Sequence, residues 1–226
     1  PEYPAAAIDW LADELRLDEE ATVVDLAAGT GKLTRALVPR AGRVIAVEPV
    51  TEMRAKLTER SPTVEAIEGT AESMGLPAGC AEAVTVGQAF HWFDGDRSLA
   101  EIHRVLRPGG ALGLIWNRRD LSHPVHHALQ EMLAEHRLDT PAERSEGWRD
   151  AFGRTSLFTP LVERHFPHAQ EVDADLLVDR VASTSFVSGL PEAARTPFLA
   201  DVRALVAPGE RIALPYKTGV HVCRAL

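Results

Sequence analysis

The spacing of apolar residues changes along the chain from a helical to a strand-like pattern. Ile8, Leu11, Ala12 and Leu15 recur at helical spacing and predict a first amphipathic helix over about Pro4–Leu17. Short apolar runs then alternate with helical segments. The predicted strands are Thr22–Leu26, Arg43–Glu48, Val64–Ile67, Ala83–Val86 and Ala111–Trp116, and the helices between them are Lys32–Val38, Glu52–Arg60 and Asp96–Val105. This alternation predicts an α/β, doubly wound, mostly parallel sheet that is buried on both faces.

The pattern is weaker after Asn117. Helices are predicted over Val125–His136, Leu176–Ala182 and Glu192–Val206, strands over Leu161–Val172 and Ile212–Val222, a polar loop over Leu138–Gly147 and a sharp turn at Arg107–Gly110. We expect the two late strands to form an antiparallel pair at the edge of the sheet. The chain, 1–226, is expected to be a single domain.

Composition and charge narrow the class of protein. The chain has 226 residues, 45% hydrophobic and 25% charged, which is ordinary for one soluble globular domain. A net charge of −9 argues against a nucleic-acid partner, and no apolar stretch approaches the length of a membrane span. Cys80 and Cys223 are too few for a disulfide framework, so a cytoplasmic location is expected. The chain begins at Pro1 without Met, and we expect an N-terminal segment to be missing.

The most informative motif is a small-residue loop after the first predicted strand. Residues 23–31 read Val-Val-Asp-Leu-Ala-Ala-Gly-Thr-Gly, and Glu48 ends the second strand. Glycine lets the backbone approach a ligand closely. A carboxylate at the end of the second strand can accept hydrogen bonds from both hydroxyls of a ribose. The two features together predict an adenosine-binding site.

Spacing distinguishes three classes of adenosine compound. A Walker loop needs a Gly five residues before its Gly-Lys pair and a Ser or Thr after it, and Gly31-Lys32 has neither. A dinucleotide fingerprint needs a third glycine where Thr34 stands. The remaining candidate is S-adenosylmethionine, which has no phosphate.

Four motifs resemble those of the class I S-adenosylmethionine-dependent methyltransferases. In order they are Asp25–Gly31 with Ala27 in the first glycine position, Gly69-Thr70-Ala71-Glu72, Gly87–Phe93, and His103–Gly110. The resemblance covers about Thr22–Asn117. Val47-Glu48-Pro49 and Phe90–Phe93 look like the branch of trans-aconitate methyltransferase-like proteins, which act on small molecules.

The resemblance implies a seven-stranded sheet with extra C-terminal helices and three functional segments. Residues 1–117 are implied to bind the cofactor, 118–210 to face the substrate, and 211–226 to form a terminal strand. The implied cofactor-binding residues are Asp25, Ala27, Ala28, Gly29, Thr30, Gly31, Glu48, Pro49, Met53, Thr70, Ala71, Glu72, Gln88, Ala89 and Phe90. Thr70 stands where the family has an acid, so either its hydroxyl or Glu72 is expected to take that role.

We expect the acceptor site to be formed by the segment from Asn117 onward and by His91 and Trp92 after the fourth strand. The missing N-terminal segment is expected to form part of a lid over it. Its candidate residues are His91, Trp92, Trp116, Asn117, Arg118 and Tyr216. His91 is either a packed histidine or the catalytic base, since its ordinary pKa is near neutrality. Trp92 and Trp116 are as readily packing residues as a substrate wall. Arg118 and Arg119 either grip a carboxylate or are simply solvated.

The expected function is methyl transfer to a small molecule by a monomer or homodimer. Two other functions are alternatives to it. One is a non-enzymatic S-adenosylmethionine-binding protein, and the other is a nucleotide-dependent oxidoreductase. A metal site is not expected, because Pro124 interrupts the helix that would align His123 with His127, and His165 and His168 point to opposite faces of a strand.

Overall fold

A computed structural model describes residues 1–134, 146–184, 187 and 189–226. Its strands are β1 (Thr22–Leu26), β2 (Arg43–Val47), β3 (Glu65–Ile67), β4 (Ala81–Gly87), β5 (Leu106–Arg119), β6 (Val162–Val172) and β7 (Ile212–Arg224). The α-helices are α1 (Ala5–Leu15), α2 (Lys32–Leu37), α3 (Thr51–Arg60), α4 (Gly95–Val105), α5 (Pro124–Ala134), α6 (Arg149–Arg154), α7 (Ala174–Ala182) and α8 (Glu192–Arg203). Short 3₁₀ turns lie at Val38–Arg40, Phe90–Trp92 and Glu146–Trp148.

The seven strands form one sheet in the order β3-β2-β1-β4-β5-β7-β6. Neighbouring strands from β3 to β5 are parallel, and the other edge carries an antiparallel pair. This confirms the predicted mostly parallel, doubly wound α/β sheet with an antiparallel edge. No described helix has both the length and the apolar character needed to cross a bilayer.

Two apolar layers cover the sheet because alternate strand residues point to opposite faces. Val23 packs in the cluster that contains α1, α2 and Leu57 of α3. Val24 and Leu26 pack on the opposite face with Leu99 and Ile102 of α4. Burial on both faces is why the adjacent residues Val23 and Val24 of β1 are both apolar.

One predicted element differs from the structure, one helix had no prediction, and one predicted segment is only partly described. Arg107–Gly110 is not a separate turn but part of β5, where Leu106 pairs with Ala81 and Ala111 already pairs with Ala83. The Pro-Gly-Gly sequence, which predicts a turn, instead forms an irregularity in the pairing of β5 with β4. Helix α6 was not predicted. The end of the predicted helix Val125–His136 and most of the predicted loop Leu138–Gly147 lie outside the described residues.

Of the described residues, 2–116, 146–166 and 218–226 belong to a larger compact unit, and Pro1, 117–134 and the described part of 167–217 to a smaller one. The smaller unit has its own apolar cluster, which includes Leu129, Leu177, Phe198 and Leu214. The prediction that these units are one functional domain stays a prediction.

Candidate active site

The loop after β1 adopts an unusual backbone. Ala27, Gly29 and Gly31 have φ of 53°, 58° and 79°, in the left-handed region that favours glycine. The resemblance placed Ala27 where the family has glycine, and its positive φ is the physical reason for that preference. A Cβ added to Gly29 would meet no heavy atom within 4 Å. The backbone at Gly29 therefore borders open space that a ligand can enter.

Gly31 is constrained by the protein itself. A Cβ at this position would lie 2.9 Å from Cγ and 3.4 Å from Cδ1 of Leu57 in α3. A Cβ here would force the Leu57 side chain to shift, in addition to the strain of the positive φ. Close approach of a ligand is therefore best tested at Gly29.

Glu48 joins the loop to the end of β2. One carboxylate oxygen accepts a hydrogen bond from the N–H of Gly29 at 2.8 Å, and the other accepts from the N–H of Val50 at 2.9 Å. The residue is 4% exposed. Each carboxylate oxygen has capacity for a further hydrogen bond. The carboxylate is thus fixed in place, with remaining lone pairs that two ribose hydroxyls could use.

Asp25 lies in β1, just before this loop, and its carboxyl group hydrogen-bonds to side chains of two neighbouring elements. Its carboxyl accepts hydrogen bonds from the hydroxyls of Thr34 at 2.5 Å and Thr85 at 3.2 Å, so it links β1 to α2 and β4. Burial raises the pKa of Asp25 to about 7, with a smaller contribution from the charge of Glu48, against the lowering effect of the threonine hydrogen bonds.

Apolar side chains are exposed directly after Glu48. Val50 is 42% exposed and Met53 is 39% exposed, and Pro49 is exposed between Glu48 and Val50. Exposed apolar groups beside a fixed carboxylate fit the face of an adenine ring next to a ribose site. Pro49 and Met53 were predicted for this site, and Val50 was not.

The segment after β3 forms a tight turn in which Thr70 and Ser73 exchange backbone hydrogen bonds of 3.0 and 3.2 Å. Thr70 is exposed and Ala71 is buried. A carboxylate oxygen of Glu72 accepts from the N–H of Asp94, just before α4, at 3.1 Å. Of the two candidates for the missing acid, Glu72 thus already has a structural partner.

The segment after β4 begins with a second strained residue. Gln88 has φ of 62°, and its N–H donates to the carbonyl of Ile115 at 2.9 Å. Ala89 leads into the 3₁₀ turn in which Phe90 is buried and Trp92 is 54% exposed, with the ring of His91 5.3 Å from that of Trp92. Left-handed non-glycine residues cluster at functional sites, and Ala27 and Gln88 directly follow the neighbouring strands β1 and β4.

Tyr3 also reaches the end of β4, although sequence reasoning missed it. A Cβ on Gly87 would lie 2.8 Å from the hydroxyl oxygen of Tyr3 and 3.3 Å from Cδ2 of Leu33. The glycine at 87 therefore makes room for the phenol beside α2.

An aromatic cluster lies on the same unit. Trp148 is its centre: the rings of Trp116, His221, Phe152 and Phe90 lie 4.7, 5.3, 5.8 and 6.1 Å from the Trp148 ring. Trp116 and Phe90 were predicted as site residues. Trp148 and His221 were missed, because each is an isolated residue in a segment without a motif.

An ionic network borders this aromatic cluster. Arg149 donates to Glu163 at 2.6 Å, and the buried His221 places Nδ1 3.2 Å from the same carboxylate oxygen. The hydrogen bond from Arg149 is the main cause that holds the pKa of Glu163 below its ordinary value. The guanidinium carbon of Arg149 lies 4.8 Å from the centre of the Trp148 ring.

The remaining acceptor candidates lie in the smaller unit. The side-chain amide of Asn117 donates to the carbonyl of Pro1 at 3.3 Å. Tyr216 is buried between the rings of His126 and His168, at 4.8 and 5.6 Å, and Arg118 is half-buried at the end of β5. Their role in acceptor binding stays a prediction.

Known proteins share this sequence and fold. A family model described as a methyltransferase domain matches residues 24–114. An uncharacterized methyltransferase of Mycobacterium bovis is 38% identical over 224 residues, which cover 96% of this chain and 87% of the relative. A methyltransferase-like protein of Schizosaccharomyces pombe is 35% identical over 85% of this chain and 75% of its own length.

A solved structure from Anaeromyxobacter dehalogenans, described as a candidate type II methyltransferase, has a TM-score of 0.71 at 25% identity. The match covers 100% of this chain and 96% of that one. The trans-aconitate 2-methyltransferase of Azoarcus is 35% identical over 58% of this chain and 51% of its own length.

Proposed function

This chain belongs to the class I methyltransferases, and we propose that it binds S-adenosylmethionine at the β1 loop and Glu48 and methylates a small molecule. The observation that carries the proposal is the Glu48 carboxylate. It is buried, and backbone N–H groups on both sides of the site hold it in place. A carboxylate so fixed needs no rearrangement to accept a ribose diol.

The residues fit this cofactor in three places. The backbone of Gly29 borders open space, so the methionyl tail can pass beside the loop. Val50 and Met53 present apolar surface for the adenine. Ala89 and Phe90, after the strained Gln88, would flank the sulfonium end, as the family resemblance implies.

The bound cofactor would supply a methyl group already activated by a sulfonium. The protein's own task is then to orient the acceptor and exclude water. The buried rings of Phe90 and Trp116 suit the second part of this task. His91 follows at the same strand end and would remove the proton if the acceptor is a hydroxyl or an amine.

The acceptor is proposed to be a small molecule. Relatives with partial coverage support this: the names of two of them specify trans-aconitate and 2-phytyl-1,4-naphthoquinone as their substrates. A carboxylate is the particular acceptor class that Arg118 and Arg119 would bind, through the fork geometry of guanidinium groups. A carboxylate attacks without loss of a proton, so it would need no base.

Three further properties belong to the same proposal. The net charge of −9 supports an enzyme without a nucleic-acid partner. Cys80 and Cys223 are both free thiols, which supports a reducing, cytoplasmic location. We expect a monomer or a homodimer, which sedimentation analysis would distinguish.

Isothermal titration of the full chain with S-adenosylmethionine and, separately, with NAD tests the cofactor assignment. We expect saturable binding of the first and none of the second. Turnover is then measured with radiolabelled methyl donor over a panel of small carboxylates, alcohols and amines. Binding without transfer to any of them would favour a non-enzymatic binding protein.

A further inference from the structure

Trp148 combines deep burial with an unused polar group. The residue is 7% exposed, and its indole Nε1, which can only donate, has no hydrogen-bond partner among the described residues. Nearly all buried donors in proteins are paired, since an unpaired one loses its hydration without replacement. An orphan of this kind needs an explanation.

The indole belongs to the apolar cluster on one face of the sheet, and there it borders residues of the candidate site. The 3₁₀ turn of Trp148 contacts the turn Phe90–Trp92, which follows the strained Gln88. The ring of Trp116 lies 4.7 Å away at 31°, and the Arg149 guanidinium lies 4.8 Å from the indole centre. Flat apolar rings with one convergent donor are typical of small-molecule sites.

On the basis of the proposed function, we propose that Trp148 selects the methyl acceptor by donating its indole N–H to an oxygen atom of that molecule. The class of acceptor is then a compact molecule with an apolar or planar body and a carboxylate or carbonyl oxygen. Trp148 is a specificity-determining residue in this assignment, and the methyl transfer itself needs no chemistry from it.

Two types of ligand, a carboxylate and a neutral carbonyl compound, can supply this oxygen atom. The positive charge of Arg149 would favour an anionic oxygen, but Glu163 accepts its hydrogen bond at 2.6 Å and offsets that charge. A carboxylate and a neutral carbonyl are therefore separate arms of the test. Because Nε1 is buried, entry of the oxygen requires a neighbouring side chain to shift.

The indole N–H resonances of the full chain give a direct test. The chain has four tryptophans, and Trp148→Phe identifies its signal by removing it. An unpaired N–H resonates upfield of a bonded one. The protein, saturated with S-adenosylhomocysteine, is titrated with benzoate, benzamide and toluene. We expect the Trp148 signal to move downfield and saturate with benzoate, benzamide or both, and toluene to report only ring effects.

The substitution Trp148→Phe keeps an aromatic ring and removes the donor. It should weaken binding of benzamide about three- to tenfold, the loss of one neutral hydrogen bond, and binding of benzoate by at least as much. The matched control is Trp10→Phe, the same change in a tryptophan that packs on Phe166 at 6.0 Å, outside the cluster around Trp148. This control should bind the probe like the wild type.

Three outcomes overturn the inference. One is a Trp148 signal already downfield in the ligand-free protein, which would mean that water pairs the donor. The second is no saturable downfield movement with either oxygen-bearing probe. The third is equal probe binding by Trp148→Phe and the wild type. Titration of the wild type with S-adenosylhomocysteine alone tests the proposed function separately from the role of Trp148. If the wild type does not bind it, the proposed function is wrong, whatever the Trp148 signal shows.

Discussion

The glycine loop and the aromatic cluster lie on the same unit but are built in different ways. The loop is held by backbone geometry: three left-handed residues and a carboxylate that accepts two N–H groups. The cluster is held by side chains drawn from distant segments, with Phe90, Trp116, Trp148 and His221 in ring contact. A site that depends on backbone geometry can be recognised from a short sequence motif, whereas a cluster of packed rings from distant segments cannot.

The difference has a functional counterpart. A cofactor that is common to a whole family can be recognised by a conformation that only a few residues allow. An acceptor that differs between enzymes is better recognised by side chains, which change without disturbing the backbone. The comparison predicts that substitutions in the loop affect cofactor affinity, while substitutions in the cluster affect the acceptor.

The largest expected effect is at Glu48. Glu48→Ala removes the acceptor for the ribose hydroxyls and for the Gly29 N–H, so S-adenosylmethionine affinity should fall by on the order of 2–4 kcal/mol, about 30- to 1000-fold. Titration calorimetry measures it. Glu59→Gln, on an exposed position of α3, is the control. Unchanged affinity in a folded Glu48→Ala protein would remove Glu48 from the cofactor site.

The two loop glycines separate ligand approach from packing. Gly29→Ala and Gly31→Ala share the strain of a positive φ, about 1 kcal/mol. Gly31→Ala alone also presses on Leu57, so it should lower the unfolding free energy by a further 1 kcal/mol or so. Gly29→Ala should instead give the larger loss of cofactor affinity.

Chemical denaturation and calorimetry on both variants check this difference. If Gly31→Ala weakens the cofactor more and destabilises the fold no more than Gly29→Ala, the assignment of Gly31 to packing is wrong. The coupling with Leu57→Ala in a double-mutant cycle gives an independent value for the contact.

The sequence predicted the loop region well because its determinants are local. The ends of β1 agree with the prediction residue for residue, since Val23, Val24 and Leu26 mark the buried strand as a short apolar run. Glu48 was predicted from its place at the end of the second apolar run. Local signals failed at Arg107–Gly110, where pairing with β4 incorporates a turn-like sequence into a strand.

The cluster was predicted only in part, for the same physical reason. Phe90 and Trp116 follow or end predicted strands, so their position was readable. Trp148, Glu163 and His221 become neighbours only through tertiary folding, and no spacing along the chain marks them. The contact between Tyr3 and Gly87 likewise forms only through tertiary folding and could not be predicted from spacing.

Each region contains a carboxyl group whose pKa is shifted, and the two shifts have opposite directions. The folded pKa of Asp25, about 7, is above its ordinary 3.8, so its contribution to stability is greatest below about pH 3.8 and is lost as pH rises through 7. The pKa of Glu163 is lowered from 4.5, so its contribution is present above pH 4.5 and is lost as pH falls.

Thermal unfolding between about pH 4 and pH 8 tests both signs. Asp25→Asn, which is isosteric, should gain stability relative to the wild type as pH rises. Glu163→Gln should be modestly less stable than the wild type above about pH 4.5, since its ion pair with Arg149 is part-exposed, and this deficit should shrink as pH falls below that value. Parallel curves for Asp25→Asn and the wild type would mean that Asp25 ionises normally.

The smallest expected effect is at Ala27. Its φ of 53° carries the strain of a left-handed alanine, about 1–2 kcal/mol. Ala27→Gly relieves that strain but adds about 0.4–1 kcal/mol of conformational entropy to the unfolded chain. The net result should be a gain of about 0.5 kcal/mol in unfolding free energy.

The neighbour Ala28 supplies the control, because its φ is not positive. Ala28→Gly makes the same chemical change without any strain to relieve, so it should lose about 0.4–1 kcal/mol. Urea unfolding of the two variants beside the wild type measures both. A loss of stability in Ala27→Gly as large as that in Ala28→Gly would show that the loop stores no strain at Ala27. The geometry of the loop would then rest on Glu48 and the glycines alone.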